Sequence, residues 1–355
     1  MQGIALSRRF YAEAVRPILA RRFPAFEHAA ALIGSGSEIL GLDDETSQDH
    51  EWGPRVLVFG YDLSRVREID ERLAHELPTT FAGFPTHFGP TDEQGTARIA
   101  SVSTGPVVHR VQLLELGDYL RDRVGTDPRD GFTVVDWLTT PTQRLLELTS
   151  GEVFADPRGD LARAREALAW YPHDVWLYAM AGHWQRIAEY EHFVGRTGSR
   201  DDDVGSRLVA ASLARDMIRL GFLQVRRYAP YAKWLGSMYA RLDLPERPSL
   251  ERALRVDDWH ERERALVEAA ELLAQRQNEL GVTYRVDPTA RGFWGRPFRV
   301  LFAGRFVTAL RDAIADPAIA AIVHPVGAID ALSDHTAFLE TPRLWGAARA
   351  LYDRA

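Results

Sequence analysis

Residues 33–54 read IGSGSEILGLDDETSQDHEWGP, and this stretch decides the fold. Upstream of it, Ala29 to Ile33 is a short apolar run that stops in a Gly/Ser cluster, the pattern of a strand ending in a tight loop. Downstream, DHEWGPRVLVF alternates and then turns wholly apolar from Val56 to Phe59, which predicts a second strand with a bulge at Gly53-Pro54. On an extended segment Asp49 and Glu51 lie two apart, point to one side, and bring two carboxylates within reach of one hard divalent cation. Like charges that close repel unless a cation neutralises them. The backbone N–H groups of Gly34, Ser35, Gly36 and Ser37 can converge on a phosphate, glycine permitting close approach and serine adding a hydroxyl. A triphosphate spanning the two features is chemically coherent. Asp43, Asp44 and Glu45 read as a solvated loop.

Outward from this stretch, residues 7–22 place Phe10, Ala14, Ile18 and Leu19 at helical spacing, with Pro17 predicting a kink. Ser64 is placed to cap a helix through SRVREIDERLAHEL, which Pro78 ends. ARIASVSTGPVVHRVQLLEL reads as two strands around a Thr-Gly-Pro turn. After about residue 130 the character changes. Pro141 opens a helix, GEVFAD is strand-like, and the long segments that follow carry a 3.6-residue period. The polar run GRTGSRDDDVG connects helices, and GFWGRPFRVLFAGRF, rich in glycine and aromatics, reads either as a turn that lets a ligand approach or, preferably, as packing. The expected fold is α+β, a small mixed-sheet domain over residues 1–158 followed by a mostly helical bundle over 159–355.

Composition narrows the classes. Hydrophobic residues make up 46% and charged residues 26% of 355, which fits a folded chain rather than a disordered one. No apolar run reaches the ~20 residues needed to span a bilayer, and the first residues are too polar for a signal peptide, so a cytoplasmic address without membrane partners is expected. There is no cysteine, which removes thiol catalysis and thiolate metal sites. The net charge of −7 and the lack of a basic tract argue against nucleic acid as a partner. The 43 basic residues include a single lysine, Lys233. A lysine kept where arginine is used elsewhere points to a position that needs a compact ammonium. It lies among Tyr228, Tyr231 and Trp234 in RRYAPYAKWLG, a cluster suited to phosphates and a stacked ring, although Tyr228 and Trp234 read better as core.

A hydrophobic strand, a Gly-Ser turn, about a dozen residues and then two acids flanking one residue resembles the signature of polymerase-beta-like nucleotidyltransferases. GSGSEILG, SQDHEWGP and RRYAPYAKWLG are together similar to an incompletely characterised bacterial branch of that superfamily, itself distantly similar to the aminoglycoside nucleotidyltransferases. The resemblance implies that Gly34, Ser35, Gly36 and Ser37 hold phosphates and that Asp49 and Glu51 ligate Mg²⁺. It further implies that a C-terminal helical domain, with Lys233 and Tyr231, helps bind the nucleotide. The activity implied is transfer of an NMP group, from ATP or another NTP, to a hydroxyl of a small-molecule or protein acceptor. His50 departs from the usual apolar residue between the acids. Glu115 is the nearest candidate for the third carboxylate, because Gln112 occupies the centre of its strand; Asp136 is another candidate, with a start of a helix at TVVDWL as the alternative that would make it structural. The alternative is a nucleotide-binding or sensing protein with the same fold and reduced catalysis.

Overall fold

The computed structural model describes residues 2–49, 52–93 and 96–352, with the side chains of Gln48 and Asp49 outside that description. The chain divides into two units, Met1–Phe132 with Arg144–Ala169, and Thr133–Gln143 with Trp170–Ala355. A single boundary at 158 is the expectation from sequence. The chain instead crosses three times, once within the helix Thr142–Thr149. The architecture is α+β, with a four-stranded mixed sheet among the described residues of the first unit and mainly helices in the second.

In the first unit, α1 (Gly3–Phe10) runs through a π turn, Tyr11–Val15, into α2 (Arg16–Arg22). Pro17 lies in the first turn of α2, where it has no N–H to return to the preceding turn, and the wider π turn is how the helix absorbs it. The sheet is built from β1 (His28–Leu32), β2 (Arg55–Gly60), β3 (Arg110–Leu114) and β4 (Glu152–Ala155), in the order β3-β2-β1-β4. β1 is antiparallel to β2 and β4, whereas β2 and β3 are parallel. A parallel pair needs a crossover, and α3 (Val66–Glu76) lies in it.

β2 reads as unbroken apolar text because it is buried on both faces. Val56 and Val58 join Phe10, Val15, Leu19, Ile69 and Leu73 in one core cluster. On the other face Phe59 meets Tyr119 of α4 (Leu116–Val124), with ring centroids 5.2 Å apart. Each fully buried side chain of this kind contributes about 1.5–3 kcal/mol, so two-sided burial outweighs the weak local preference of a six-residue strand.

Three local expectations need correction. Ser64 does not cap α3: its N–H donates to Asp62 Oδ1 at 2.8 Å, and the helix begins at Val66 without a side-chain cap. The segment Ile99–Ala100 pairs with His87–Phe88, while β3 pairs with β2, so the two strands predicted around the Thr-Gly-Pro turn do not form a hairpin together. Gly53 and Pro54 precede β2 as a bend outside the ladder rather than a bulge within it.

In the second unit the long helices His173–Tyr190, Asp203–Gln224 and Trp259–Glu279 carry the periodic text. Trp184 stacks on Phe306 at 4.7 Å, and the Trp176 indole N–H donates to the Leu223 carbonyl at 2.8 Å. Asp202, in the polar connection, caps the second of these helices by accepting from the Gly205 N–H at 2.8 Å. The glycine- and aromatic-rich segment forms a hairpin, Arg291–Gly292 with Arg299–Val300. Phe298 is buried there, but Trp294 is 80% exposed, so packing accounts for only part of that segment.

Two carboxylates fasten this hairpin. Glu191 accepts from the N–H groups of Leu301 at 2.7 Å and Ala303 at 3.1 Å, and Glu263 accepts from that of Arg299 at 3.1 Å. Burial is the main cause of their shifts, pushing Glu191 up to about 7 and Glu263 up to about 6, against the pull of those N–H donors. A carboxyl whose folded pKa is raised stabilises fully below its unfolded value near 4.5 and loses that contribution as pH rises through 6 to 7. The loss is on the order of a few kcal/mol. Glu191→Gln keeps an acceptor oxygen and cannot ionise. Its denaturation midpoint should gain on the wild type between pH 5 and 8, and parallel profiles for the two proteins would refute the assignment.

Candidate functional site

The register of the sheet fixes which groups share an end. His28 lies opposite Gly60 and Ala31 opposite Leu57, so the loop leaving β1 at Ile33 emerges beside Arg55, where β2 begins. The segment carrying Asp49 and Glu51 therefore enters the sheet at the end where the Gly-Ser loop leaves it. Arg110, which starts β3, is level with Arg55 at the same end.

The loop itself is held from below. Gly34 has φ +94° and Gly36 φ +142°, both in the region that favours glycine. A Cβ on Gly34 would stand 2.5 Å from the Tyr119 hydroxyl, and one on Gly36 would stand 2.5 Å from Glu38 Oε2. The Gly34 N–H is committed, donating to the Glu147 carbonyl at 2.9 Å. Among the described residues the N–H groups of Ser35, Gly36 and Ser37 have no acceptor, and Ser35 and Gly36 are exposed. Three donors on consecutive residues are thus without an acceptor among the described residues, and Gly34 contributes shape.

Arg55 supports the turn. Its Nε donates to Glu38 Oε1 at 2.8 Å and its Nη2 to the Ser35 carbonyl at 2.7 Å. Glu38 is 4% exposed, so this pair is nearly dry, and the guanidinium ties β2 to the loop by a carboxylate and a carbonyl together. Arg123, at the end of α4, donates from Nη1 to Ser35 Oγ at 3.1 Å. Arg144 donates to Glu147 Oε2 at 2.8 Å, and Arg123 lies 3.9 Å from that same oxygen.

Asp43 differs from its expected place in a solvated loop. Its Oδ2 accepts from the Gly3 N–H at 2.7 Å and from the Trp52 indole at 3.2 Å, and Trp52 is 1% exposed. This carboxylate ties residue 43 to Trp52 and to the start of α1, with Trp52 packed against Phe84 at 5.0 Å. Asp44 forms a local turn with Ser47, accepting its N–H at 2.9 Å.

The backbone of Asp49 lies in a 3₁₀ turn, Thr46–Asp49, and not on a strand. The side-chain alternation that placed it beside Glu51 does not apply there. The Asp49 side chain, His50 and Glu51 lie outside the described residues. Among the described residues no three His, Asp or Glu side chains gather where they could hold a metal.

Glu115 is not brought to the loop. β3 runs parallel to β2, so Glu115 follows Leu114 at the Gly60 end, five residues or about 16 Å along the sheet from Arg110. There it caps α4, accepting from the Asp118 N–H at 2.6 Å, with Arg121 at 3.6 Å. Gln112, opposite Leu57, is exposed. Asp136, the other candidate, starts a helix instead, forming a capping box with Thr133 and an ion pair with Arg349 at 2.9 Å.

Tyr231 and Lys233 belong to the second unit. Tyr231 precedes the helix Ala232–Ala240, its N–H donating to Gln143 Oε1 at 3.0 Å, and Lys233 is exposed with Nζ 4.8 Å from the Trp234 ring centre. Tyr228 is core, as expected, with Trp170 at 4.9 Å and Tyr171 at 5.3 Å.

Comparison with known proteins adds a partial match. Residues 137–235 match a family model described as a domain of unknown function, DUF4037. That stretch holds Tyr231 and Lys233 but neither the Gly-Ser loop nor Asp49 and Glu51. No curated protein matches the chain. A crystal structure of a nucleotidyltransferase-like protein from Exiguobacterium sibiricum 255-15 superposes over 78% of this chain and 77% of its own, at 11% identity and a TM-score of 0.32. A likeness that slight carries nothing about activity. Among the described residues no helix is long and apolar enough to cross a membrane.

Proposed function

We propose that this chain is a nucleotidyltransferase that moves an NMP group from ATP or another NTP to a hydroxyl of a small-molecule or protein acceptor. The observation that carries the reading is the turn Ser35–Ser37, exposed at Ser35 and Gly36, whose three N–H donors have no acceptor among the described residues, at the sheet end where the Asp49–Glu51 segment joins β2. Asp49 and Glu51 offer carboxylate oxygens, the donor class that Mg²⁺ takes, so the donor set fits that ion. When bound, Mg²⁺ supplies charge neutralisation for the triphosphate and the departing pyrophosphate. The chain's own part is to bind phosphate oxygens on the turn and to hold the segment 43–52 through Asp43 and Trp52. Lys233, from its chemistry alone, is proposed as a further phosphate ligand, and Tyr231 as its neighbour at the nucleotide.

One finding favours the alternative, a nucleotide sensor of the same fold. Glu115 is a helix cap, and Gln112 stands where a third carboxylate would lie on β3, so the described residues of that strand offer no base. Calorimetric titration with each NTP, with and without Mg²⁺, tests the part shared by both readings. The expected result is saturable, Mg²⁺-dependent binding of at least one NTP, and the absence of binding by all four overturns both.

A further inference from the structure

Among the described residues, five charged side chains gather behind the Gly-Ser loop, and these five do not balance. Glu38 is paired with Arg55, and Glu147 with Arg144. Arg123 shares Glu147 from a longer distance, 3.9 Å, so three guanidiniums stand against two carboxylates. Tyr119 reports the same surroundings. Burial pushes its hydroxyl up, the Arg123, Arg55 and Arg144 guanidiniums pull it back, and Glu147 adds to the rise.

Arg123 is also the member with hydrogen-bonding capacity to spare. Among the described residues its hydrogen bonding is confined to the Ser35 hydroxyl, and its buried Nε has no acceptor at all. A buried donor left unmatched costs about 1–3 kcal/mol, and the side chain as a whole is 28% exposed, so the guanidinium is open to a ligand from solvent. The guanidinium lies over the Tyr119 ring, 5.3 Å from its centre, which orients the fork. Solvent has access through an open groove of about 500 Å³ along the free edge of β3, lined by Arg67, Gln112, Tyr119, Asp122 and Arg123.

We infer that Arg123 is a phosphate-binding residue that completes the Gly-Ser loop, its guanidinium taking an oxygen of a polyphosphate held by the N–H groups of Ser35–Ser37, with the remainder of the ligand lying toward the groove. Nothing in the sequence separates Arg123 from the other arginines. Its position follows from α4 doubling back from Glu115 to the loop end of the sheet. The inference rests on the nucleotidyl-transfer reading, and its test keeps the two apart.

The test measures Mg²⁺-dependent binding of ATP and of inorganic tripolyphosphate to the full chain, in wild type, Arg123→Gln, Arg123→Lys and Ser35→Ala, together with the ligand-free melting temperature. Wild type should bind both probes. Arg123→Gln should weaken both by about 10- to 100-fold, the range for a hydrogen bond to a charged group, and flatten the salt dependence of binding. Arg123→Lys should recover part of the loss, because charge is restored without the fork. Ser35→Ala, which removes the contact but keeps the cation, should lose much less. Unchanged binding in Arg123→Gln overturns the inference while the proposed function stands. Equal losses in Arg123→Gln and Ser35→Ala, with matching drops in melting temperature, also overturn it, since Arg123 would then only brace the loop. A wild type that binds neither probe removes the proposed function and the inference with it.

Discussion

Asp49→Asn and Glu51→Gln are each expected to lower Mg²⁺-supported nucleotidyl transfer by at least about a thousand-fold, with little change in melting temperature. The size follows from the chemistry asked of the pair. A divalent ion on a triphosphate contributes several kcal/mol of transition-state charge stabilisation, and each 1.36 kcal/mol is about tenfold in rate. An amide keeps the shape of the carboxyl but loses the charge that holds a hard cation. Stability should hold, because each change is isosteric. The anchors of the segment, Asp43 and Trp52, are untouched by either change. Transfer by the double variant at the wild-type rate would refute the metal assignment, and a large drop in melting temperature in either single variant would assign the acid to structure instead.

The second large effect concerns Glu38. Glu38→Ala leaves the Arg55 guanidinium, whose side chain is 17% exposed, without its carboxylate, and breaking a buried pair in this way costs about 3–5 kcal/mol. Arg55 retains the Ser35 carbonyl, which compensates only in part. A double change, Glu38→Leu with Arg55→Met, removes both charges together and should recover much of the stability, since a buried ion pair is often no better than apolar groups of similar volume. Phosphate binding should not recover with it, because Ser35 then loses the donor that fixes its carbonyl. Chemical denaturation gives the first quantity and tripolyphosphate titration the second. Recovery of both together would mean that the pair has no part in shaping the loop.

The elements that local pattern determines were legible. β1 and β2 announced themselves as apolar runs against glycine and serine, and β4 as the short GEVFAD piece, because burial on a sheet writes hydrophobicity into consecutive residues. The loop between them was legible for a similar reason: Gly34 and Gly36 occupy backbone conformations that few other residues tolerate. What could not be read depends on groups distant in sequence. Arg55 and Arg123 are two arginines among many until β2 and α4 bring them 20 and 88 positions back to Ser35. Asp43 looked like one acid of three in a polar loop, and only the fold supplies Gly3 and Trp52 as its partners. Glu115 looked catalytic from its nearness to a strand. Parallel pairing of β3 carries it to the wrong end of the sheet, a matter of strand direction on which side-chain alternation is silent. The crossing at 133–143 was hidden likewise, since a short helix has the same periodicity whichever unit it packs in.

The most direct test of the central claim is the fate of the α-phosphate. The full chain is incubated with Mg²⁺, a whole-cell extract that supplies both small metabolites and proteins, and each NTP in turn, labelled at the α- or the γ-phosphate. The proposed activity predicts that α-label passes to an acceptor or to the protein itself, that γ-label leaves as pyrophosphate in equal amount, and that Asp49→Asn abolishes both. Mg²⁺-dependent NTP binding with no α-label transferred and no pyrophosphate released would contradict nucleotidyl transfer and leave a nucleotide sensor in its place.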